Sequence, residues 1–332
     1  GTELDTQVSY AGIAKACGLK GVVARTMEEL TQALNTAIRE QMETGTTTLI
    51  EAMINQELGE PFRRDAMKKP VEVAGIATNA DFLKIWVDDR GGSVEKLGPD
   101  LYGPIIEAAH ERNLRVIAHI FFAEDARELV AAGVDGFAHL VRDVEMDDEL
   151  VAAIVENDVF VMPNLAVSER GRNAEPPAWV DHPLLAESVS PEVITRIRES
   201  YANRTPEAAA QGTESFAMML RSLKKLSDAG ARLVLGADTG IQDHIQGYME
   251  HHELELIVEA GISPARAIQI ATSAPAAVLG VDTGLLAPGK RADFLVLDSN
   301  PMYAIANTRQ ISAVYLNGQE LDRDALRAGW RN

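Results

Sequence analysis

Several residue types are scarce in this chain of 332 residues, and each scarcity argues against a class of protein. The single cysteine, Cys17, excludes an internal disulfide framework and any cysteine-rich zinc module, and it favours a reducing compartment. Lysine and arginine number 31 against 50 acidic residues, so the net charge of -19 disfavours nucleic acid and anionic membranes as partners. No apolar run approaches the ~20 residues of a membrane-spanning helix, and we find no signal-peptide pattern. We therefore expect a cytoplasmic protein.

The composition is otherwise that of a folded globular protein. Hydrophobic residues make up 46% of the chain and charged residues 24%, which excludes disorder of the chain as a whole. At a rough allowance of ~150 residues per domain, the length favours two domains or one barrel.

The first part of the chain carries alternating strand and helix signals. An apolar stretch at 21–24 and a β-branched run at 46–54 each predict a strand. Between them, Thr26 and Glu29 form a capping-box pattern, which predicts the start of a helix. The charged segment 60–70 is typical of a terminus or a linker.

From about residue 80 the alternation becomes regular and is typical of a parallel barrel or a doubly wound sheet. The predicted strands cover 82–87, 115–120, 136–140, 159–162 and 231–236. The predicted helices cover 104–111, 124–132, 147–157 and 217–229. A polar, proline-containing insertion is predicted at 168–205, while strands at 294–297 and 312–316 indicate a separate small sheet.

Four residues with metal-binding or proton-transfer chemistry lie at or near the ends of predicted strands. They are Lys84, His119, His139 and Asp238. In a parallel barrel, the side chains at the carboxyl ends of the strands converge on one mouth. Imidazole and carboxylate ligands there suit Zn²⁺, Mn²⁺ or Fe²⁺, and such an ion lowers the pKa of its bound water towards ~7.

Each of these residues also has a structural interpretation. A single histidine at a strand end is more often a satisfied structural residue than a ligand. Lys84 could point outward or pair with Asp88 or Asp89, and Asp238 could be a turn or cap residue. One such residue recurs in each of several successive strand–helix units. This recurrence favours the interpretation that they derive from a metal site.

Residues from about 80 to 332 resemble the metal-dependent amidohydrolase superfamily, and within it the imidazolonepropionase-like and Xaa-Pro dipeptidase-like branches. The resemblance is carried by DFLKIWVDDRGG (81–92), RVIAHI (115–120), GVDGFAHL (133–140), VFVMPNL (159–165), RLVLGADTG (232–240), HHELELIVEAGISPARAIQIATSAPAAVLG (251–280) and GLLAPGKRADFLVLDSNP (284–301).

The resemblance implies a role for each matching residue. Lys84 matches a lysine that is carboxylated by CO₂ and bridges two metal ions, and His119 and His139 match histidines that hold one of those ions. Asp238 matches an aspartate that binds metal and moves the proton between water and leaving group. His251 matches a histidine near the site, or it is a solvated residue at a helix start. The other histidines match no ligand motif, and we expect them on the surface or in loops: His110, His182, His244 and His252.

One family motif is missing. The family's barrel begins with a strand that carries His-x-His, and the seven histidines of this chain contain no such pair. The N-terminal half of the family's small β-sandwich is missing as well. The resemblance therefore implies a barrel without its usual first strands and a site with one or two metal ions.

Residues 1–73 resemble a different family, the C-terminal end of thiamine-diphosphate-dependent enzymes of the sulfoacetaldehyde acetyltransferase and glyoxylate carboligase group. The matching segments are GTELDTQVSYAGIAKACGLKGVVA (1–24), TTTLIEAMI (46–54) and ELGEPFRRDAMKKPV (57–71). That family's Gly-Asp-Gly cofactor motif does not occur here, so we expect no thiamine diphosphate binding. The predicted strand and helix order of this segment could fill the place of the missing barrel strands.

We thus expect α/β architecture: an incomplete or rebuilt (β/α) TIM-like barrel with a remnant of a small β-sandwich, preceded by a short α/β segment. The expected boundaries are 1–73 for that segment, 74–80 for the junction, 81–283 for the barrel and 284–332 for the sandwich remnant.

The expected function is metal-dependent hydrolysis of an amide or other C–N bond, in a dipeptide, an N-acyl amino acid or a cyclic amide. Zinc is the expected metal, and a small-molecule substrate is the expected partner, while the formation of a homo-oligomer stays open. The alternative is a catalytically inactive fusion of two truncated enzyme fragments.

Overall fold

A computed structural model describes residues 11, 15, 20–24, 26–44, 46, 48–52, 81–240 and 244–330. The chain divides into two compact units, one formed by residues 1–78 with 320–332 and the other by residues 79–319. The charged segment predicted at 60–70 lies outside the described residues. Among the residues that are described, no helix combines the length and the apolar character needed to cross a membrane.

The first unit contains a parallel pair of strands around one helix. Strand β1 (Lys20–Ala24) pairs in parallel with β2 (Thr48–Ala52), and α1 (Met27–Thr44) connects them. The amide of Glu29 donates to the Thr26 hydroxyl oxygen at 3.1 Å, which confirms the predicted cap. Both predicted strands are confirmed, and the unit also includes a helix at Arg323–Trp330.

A four-stranded parallel sheet forms the centre of the second unit. Its strands lie side by side in chain order. They are β3 (Phe82–Val87), β4 (Arg115–Ile120), β5 (Gly136–Ala138) and β6 (Phe160–Met162). The helices between them are α2 (Pro99–His110), α3 (Ala123–Ala131) and α4 (Asp148–Glu156). The mixed α/β fold with a parallel sheet is therefore confirmed.

The predicted strand at 231–236 is wrong as a regular strand. Its backbone makes one parallel bridge, between Leu233 and Val161. Beyond that bridge the amide of Leu235 donates to the carbonyl oxygen of Ile270 at 2.9 Å. Because this donor bonds a residue of a helix instead of a strand, the ladder does not continue.

The region predicted as an insertion is largely helical. It contains α5 (Leu165–Glu169), two short 3₁₀ turns, α6 (Pro183–Ser188) and α7 (Pro191–Glu199). The next helix, α8 (Pro206–Asp228), begins about ten residues earlier than predicted. The Thr205 side chain accepts a hydrogen bond from the Ala208 amide, and Pro206 occupies the first turn, so a standard helix start was present in the sequence.

The chain continues through three helices into a small antiparallel sheet. The helices are α9 (Tyr248–Glu259), α10 (Pro264–Ala271) and α11 (Ser273–Leu279). Strand β7 (Phe294–Leu297) pairs antiparallel with β8 (Ile311–Leu316), which confirms the predicted small sheet. A 3₁₀ turn at Ile305–Arg309 lies between these strands, and β9 (Gln319–Glu320) and α12 (Arg323–Trp330) follow.

Apolar residues on the helix-facing side of the parallel sheet form the main core of the second unit. Val87, Val116 and Ile120 from the strands are fully buried, as are Leu129 of α3 and Ile154 of α4. This packing holds the strands in register and so determines where their carboxyl ends lie.

Leu129→Ala should destabilise the second unit by about 2–5 kcal/mol, because it leaves a cavity at a side chain with no exposed surface. Leu101→Ala is the matched control, since Leu101 is 55% exposed on α2 and its truncation should cost under about 0.5 kcal/mol. Urea unfolding of the complete chain measures both. Equal losses for the two variants would contradict the assigned core.

Candidate functional site

Two histidines meet at the carboxyl edge of the parallel sheet. His119 lies near the end of β4 and His139 directly follows β5, and adjacent parallel strands place both at one edge. Their ring centroids are 4.4 Å apart, with planes at 70°. The Trp86 indole stacks on the His119 ring at 3.7 Å, because the register pairs Trp86 with His119 across β3 and β4.

Both imidazoles are neutral at neutral pH. Burial is the main cause that lowers the pKa of His119 to about 4. The Arg142 guanidinium acts in the same direction, and Asp88 opposes both. Burial lowers the pKa of His139 to about 2, with smaller contributions from His119 and Arg142. Neutral imidazole is the form that binds metal ions.

His119 has an incomplete set of hydrogen bonds. Its Nε2 atom lies 3.2 Å from Oδ2 of Asp88 and also 3.2 Å from Nη2 of Arg142. Its Nδ1 atom is buried and has no hydrogen-bond partner. A buried nitrogen without a partner is uncommon in folded proteins.

Lys84 lies on β3, and the positive charge of its ammonium lowers the pKa of both histidines. Its side chain is exposed, and it forms no ion pair with Asp88, Asp89 or any other residue within 81–240 and 244–330.

The residues that follow β5, β6 and the segment of the Leu233 bridge adopt left-handed backbone conformations, which non-glycine residues seldom do. The φ angles are 79° at His139, 49° at Asn164 and 50° at Asp238. The Asn164 side-chain oxygen accepts a hydrogen bond from the His139 amide at 3.1 Å. Strain of this kind concentrates at functional sites.

The predicted ligands come together only in part. His119 and His139 are in contact, and Asp238 is close enough to oppose, electrostatically, the lowering of the pKa of Arg142 that burial causes. In the portion of the chain that the structure describes, however, no three His, Cys, Asp or Glu side chains are arranged to hold a metal ion. The two neutral imidazoles offer nitrogen ligands of the kind that a divalent cation binds.

Four contacting residues were missed from sequence: Trp86, Asp88, Arg142 and Asn164. Trp86 and Asp88 lie two and four residues after Lys84, so the alternation of side chains along the strand could have identified them. Arg142 has no local signal, because its contact with His119 joins residues 23 apart.

A second buried cluster lies on α9, and it corrects the expectation for His252. His244 and His252 were expected on the surface or in loops; His244 lies in a loop but is buried, whereas His252 is buried on a helix. Nε2 of His252 lies 2.6 Å from Glu169, and its Nδ1 lies 3.0 Å from Glu255. Burial opposes protonation, but these two glutamates outweigh it and raise the pKa of His252 to about 9.

Glu253 and His251 make two further hydrogen-bonded contacts on this helix. The Glu253 carboxylate is completely buried and accepts the amides of Leu165 and Ala166 at 2.7 and 2.8 Å. Burial raises the pKa of Glu253 to about 7 against these hydrogen bonds. His251 is half-buried and bonds the Thr308 hydroxyl at 3.0 Å, so it is not a solvated residue.

His252→Gln should remove a pH-dependent part of the stability. Because the pKa of His252 is raised from 6.5 to about 9 in the folded protein, its contribution is complete below pH 6.5 and is lost as the pH rises through 9. The difference in unfolding free energy between wild type and variant should therefore shrink over this range, measured by urea unfolding at several pH values. His110→Gln, which removes an exposed histidine 2.8 Å from Asp135, is the control and should change the stability by under about 1 kcal/mol. A constant difference for His252→Gln would contradict the charged pair.

The amidohydrolase family model matches residues 94–321, more than half of the chain. The matched range includes His119, His139 and Asp238 and begins after Lys84. A solved Xaa-Pro dipeptidase with bound methionine in its active site has a TM-score of 0.57 over 95% of this chain and 77% of its own, at 20% identity. At that identity the likeness shows the fold alone.

Curated relatives match shorter pieces. The sulfoacetaldehyde acetyltransferase of Roseovarius nubinhibens is 86% identical over 76 residues, which is 23% of this chain and 12% of the relative. The adenine deaminase of Methanothermobacter thermautotrophicus is 34% identical over 99 residues, 30% of this chain and 17% of the relative. The chain thus spans less than a fifth of the length of either protein.

Members of the amidohydrolase family generally use a divalent metal, which agrees with the two neutral histidines at the sheet edge. The similarity of the N-terminal segment to sulfoacetaldehyde acetyltransferases is confirmed, and over the larger part of its length the chain belongs to the amidohydrolase family.

Proposed function

We propose that this chain is a metal-dependent hydrolase of an amide or other C–N bond. The observation that carries the proposal is the contact of two buried, neutral imidazoles, His119 and His139, at the carboxyl edge of a parallel sheet. Family membership and the α/β fold support it. A dipeptide, an N-acyl amino acid or a cyclic amide is the substrate class, as the name of the dipeptidase of similar fold suggests for the first.

In this proposal the site residues divide the work. His119 and His139 would hold a divalent ion, with Zn²⁺ the first to test, and Lys84 would provide a carbamate oxygen after reaction with CO₂. Such an ion would polarise the substrate carbonyl and make water more acidic. Asp238 would be a further ligand and would accept the proton of the attacking water and deliver it to the leaving nitrogen.

The proposed architecture is an incomplete or rebuilt (β/α) barrel with a remnant β-sandwich. Four adjacent parallel strands and the bridge from β6 to Leu233 support it, since strands side by side in chain order are the arrangement of a barrel wall. The proposed boundaries are 81–283 for the barrel and 284–332 for the sandwich remnant, after a segment at 1–73 and a junction at 74–80.

An inactive fusion is the second candidate. It is favoured by one observation: His119, His139 and Asp238 do not form a three-ligand group in the described residues. A measurement of metal content distinguishes the two candidates, because an inactive fusion without a complete ligand set should lose its metal ion during dialysis.

His119→Ala and His139→Ala should each abolish metal retention and turnover, because each removes one of two contacting ligands. We expect the wild type, reconstituted with Zn²⁺ and bicarbonate and then dialysed, to hold about one ion per chain, measured by mass spectrometry. A panel of dipeptides and N-acyl amino acids measures turnover. His110→Ala is the matched control at an exposed histidine and should behave as wild type.

Two outcomes would contradict the proposal. Retention of both metal and turnover by either histidine variant would show that the site is assigned wrongly. A wild type that holds no metal after reconstitution would favour the inactive fusion.

A further inference from the structure

The positively charged guanidinium of Arg142 lies beside His119, one of the two histidines of the site. Its amide donates to the Phe121 carbonyl at 2.8 Å, and Nη2 donates to the Ile120 carbonyl at 2.9 Å. The guanidinium carbon lies 4.7 Å from the centre of the Phe121 ring. Main-chain and aromatic contacts at the end of β4 therefore hold the guanidinium beside His119.

The contact with His119 uses the lone pair that a metal ion would need. Nη2 of Arg142 lies 3.2 Å from Nε2 of His119, and a guanidinium can only donate. When Nε2 accepts this bond instead of donating to Oδ2 of Asp88, also 3.2 Å away, the proton of the neutral ring lies on Nδ1. That Nδ1 atom is buried and unpartnered, so the contact leaves one polar group unsatisfied.

The surrounding charges are those of a cation site. The carboxylates of Asp88 and Asp238 both attract the Arg142 charge, while burial disfavours it. The Nε atom of Arg142 is itself buried without a hydrogen-bond partner. Two buried nitrogen atoms around this contact, Nε of Arg142 and Nδ1 of His119, thus lack hydrogen-bond partners.

We infer that Arg142 is a resident cation that competes with a divalent metal ion for the His119–His139 site. The inference rests on the metal site of the proposed function and adds a residue that lowers its affinity. Metal entry requires the guanidinium to leave Nε2 of His119. Removal of the Arg142 charge should therefore strengthen metal binding.

Zn²⁺ and Mn²⁺ affinities of the complete chain, measured by competition with a chelating dye in the presence of bicarbonate, test the inference. Arg142→Met keeps most of the side-chain volume without the charge and should bind at least ten times more tightly than the wild type. Arg142→Lys keeps a cation and should remain within a few-fold of the wild type. Arg112→Met, at an exposed arginine of the same unit, is the control and should match the wild type.

The outcomes separate the inference from the proposed function. If wild type and Arg142→Met bind metal equally well, or the variant binds more weakly, the competition is refuted while the metal site stands. If only Arg142→Met binds, the competition holds and the wild type is not a resident metalloenzyme. If no variant binds metal, both ideas are refuted.

A measurement on the wild type without metal is independent of whether the variant folds. Long-range ¹H–¹⁵N spectra of the imidazole nitrogens distinguish the two neutral tautomers, and His119→Gln assigns the signal. We expect the proton of His119 on Nδ1, with Nε2 accepting from Arg142. A proton on Nε2, donated to Asp88, would overturn the inference.

Discussion

The parallel register of β3, β4, β5 and β6 is the constraint on which the site depends. Because side chains at the carboxyl ends of adjacent parallel strands share one edge, residues far apart in the chain become neighbours there. Trp86 and His119 stack as cross-strand partners, and His139 follows from the next strand. The helices on the other side of the sheet maintain this register through their buried apolar faces.

Neighbouring charges act on the buried histidines of this molecule in two opposite ways. At the sheet edge, His119 and His139 lie near Arg142 and Lys84, so burial and neighbouring positive charge both favour the neutral ring. On α9, His252 lies between Glu169 and Glu255, and these acids keep it charged despite burial. The first pair suits a ligand for a cation, whereas the second position suits an ion pair that joins helices.

Much of the architecture of the second unit was predictable because its signals are local. Strands 82–87 and 115–120 have the predicted bounds, since a short, largely apolar run identifies a buried strand without knowledge of its partner. The segment at 231–236 has the same pattern but forms one bridge, because the amide of Leu235 donates to the carbonyl oxygen of Ile270 on a helix. Thr205 and Pro206 indicate the early start of α8, but the segment before residue 206 was predicted as an insertion.

The sequence alone determined which chemical groups stand at the strand ends, because strand periodicity and residue type are properties of a few consecutive residues. It also determined the family, through motifs that the family comparison confirms. Only the tertiary structure decided the partners and protonation of those groups. The contact between His119 and Arg142, the isolation of Nδ1 and the pairing of His252 with Glu169 all join distant residues. Burial and electrostatic attraction depend on such distances, and a sequence pattern does not contain them.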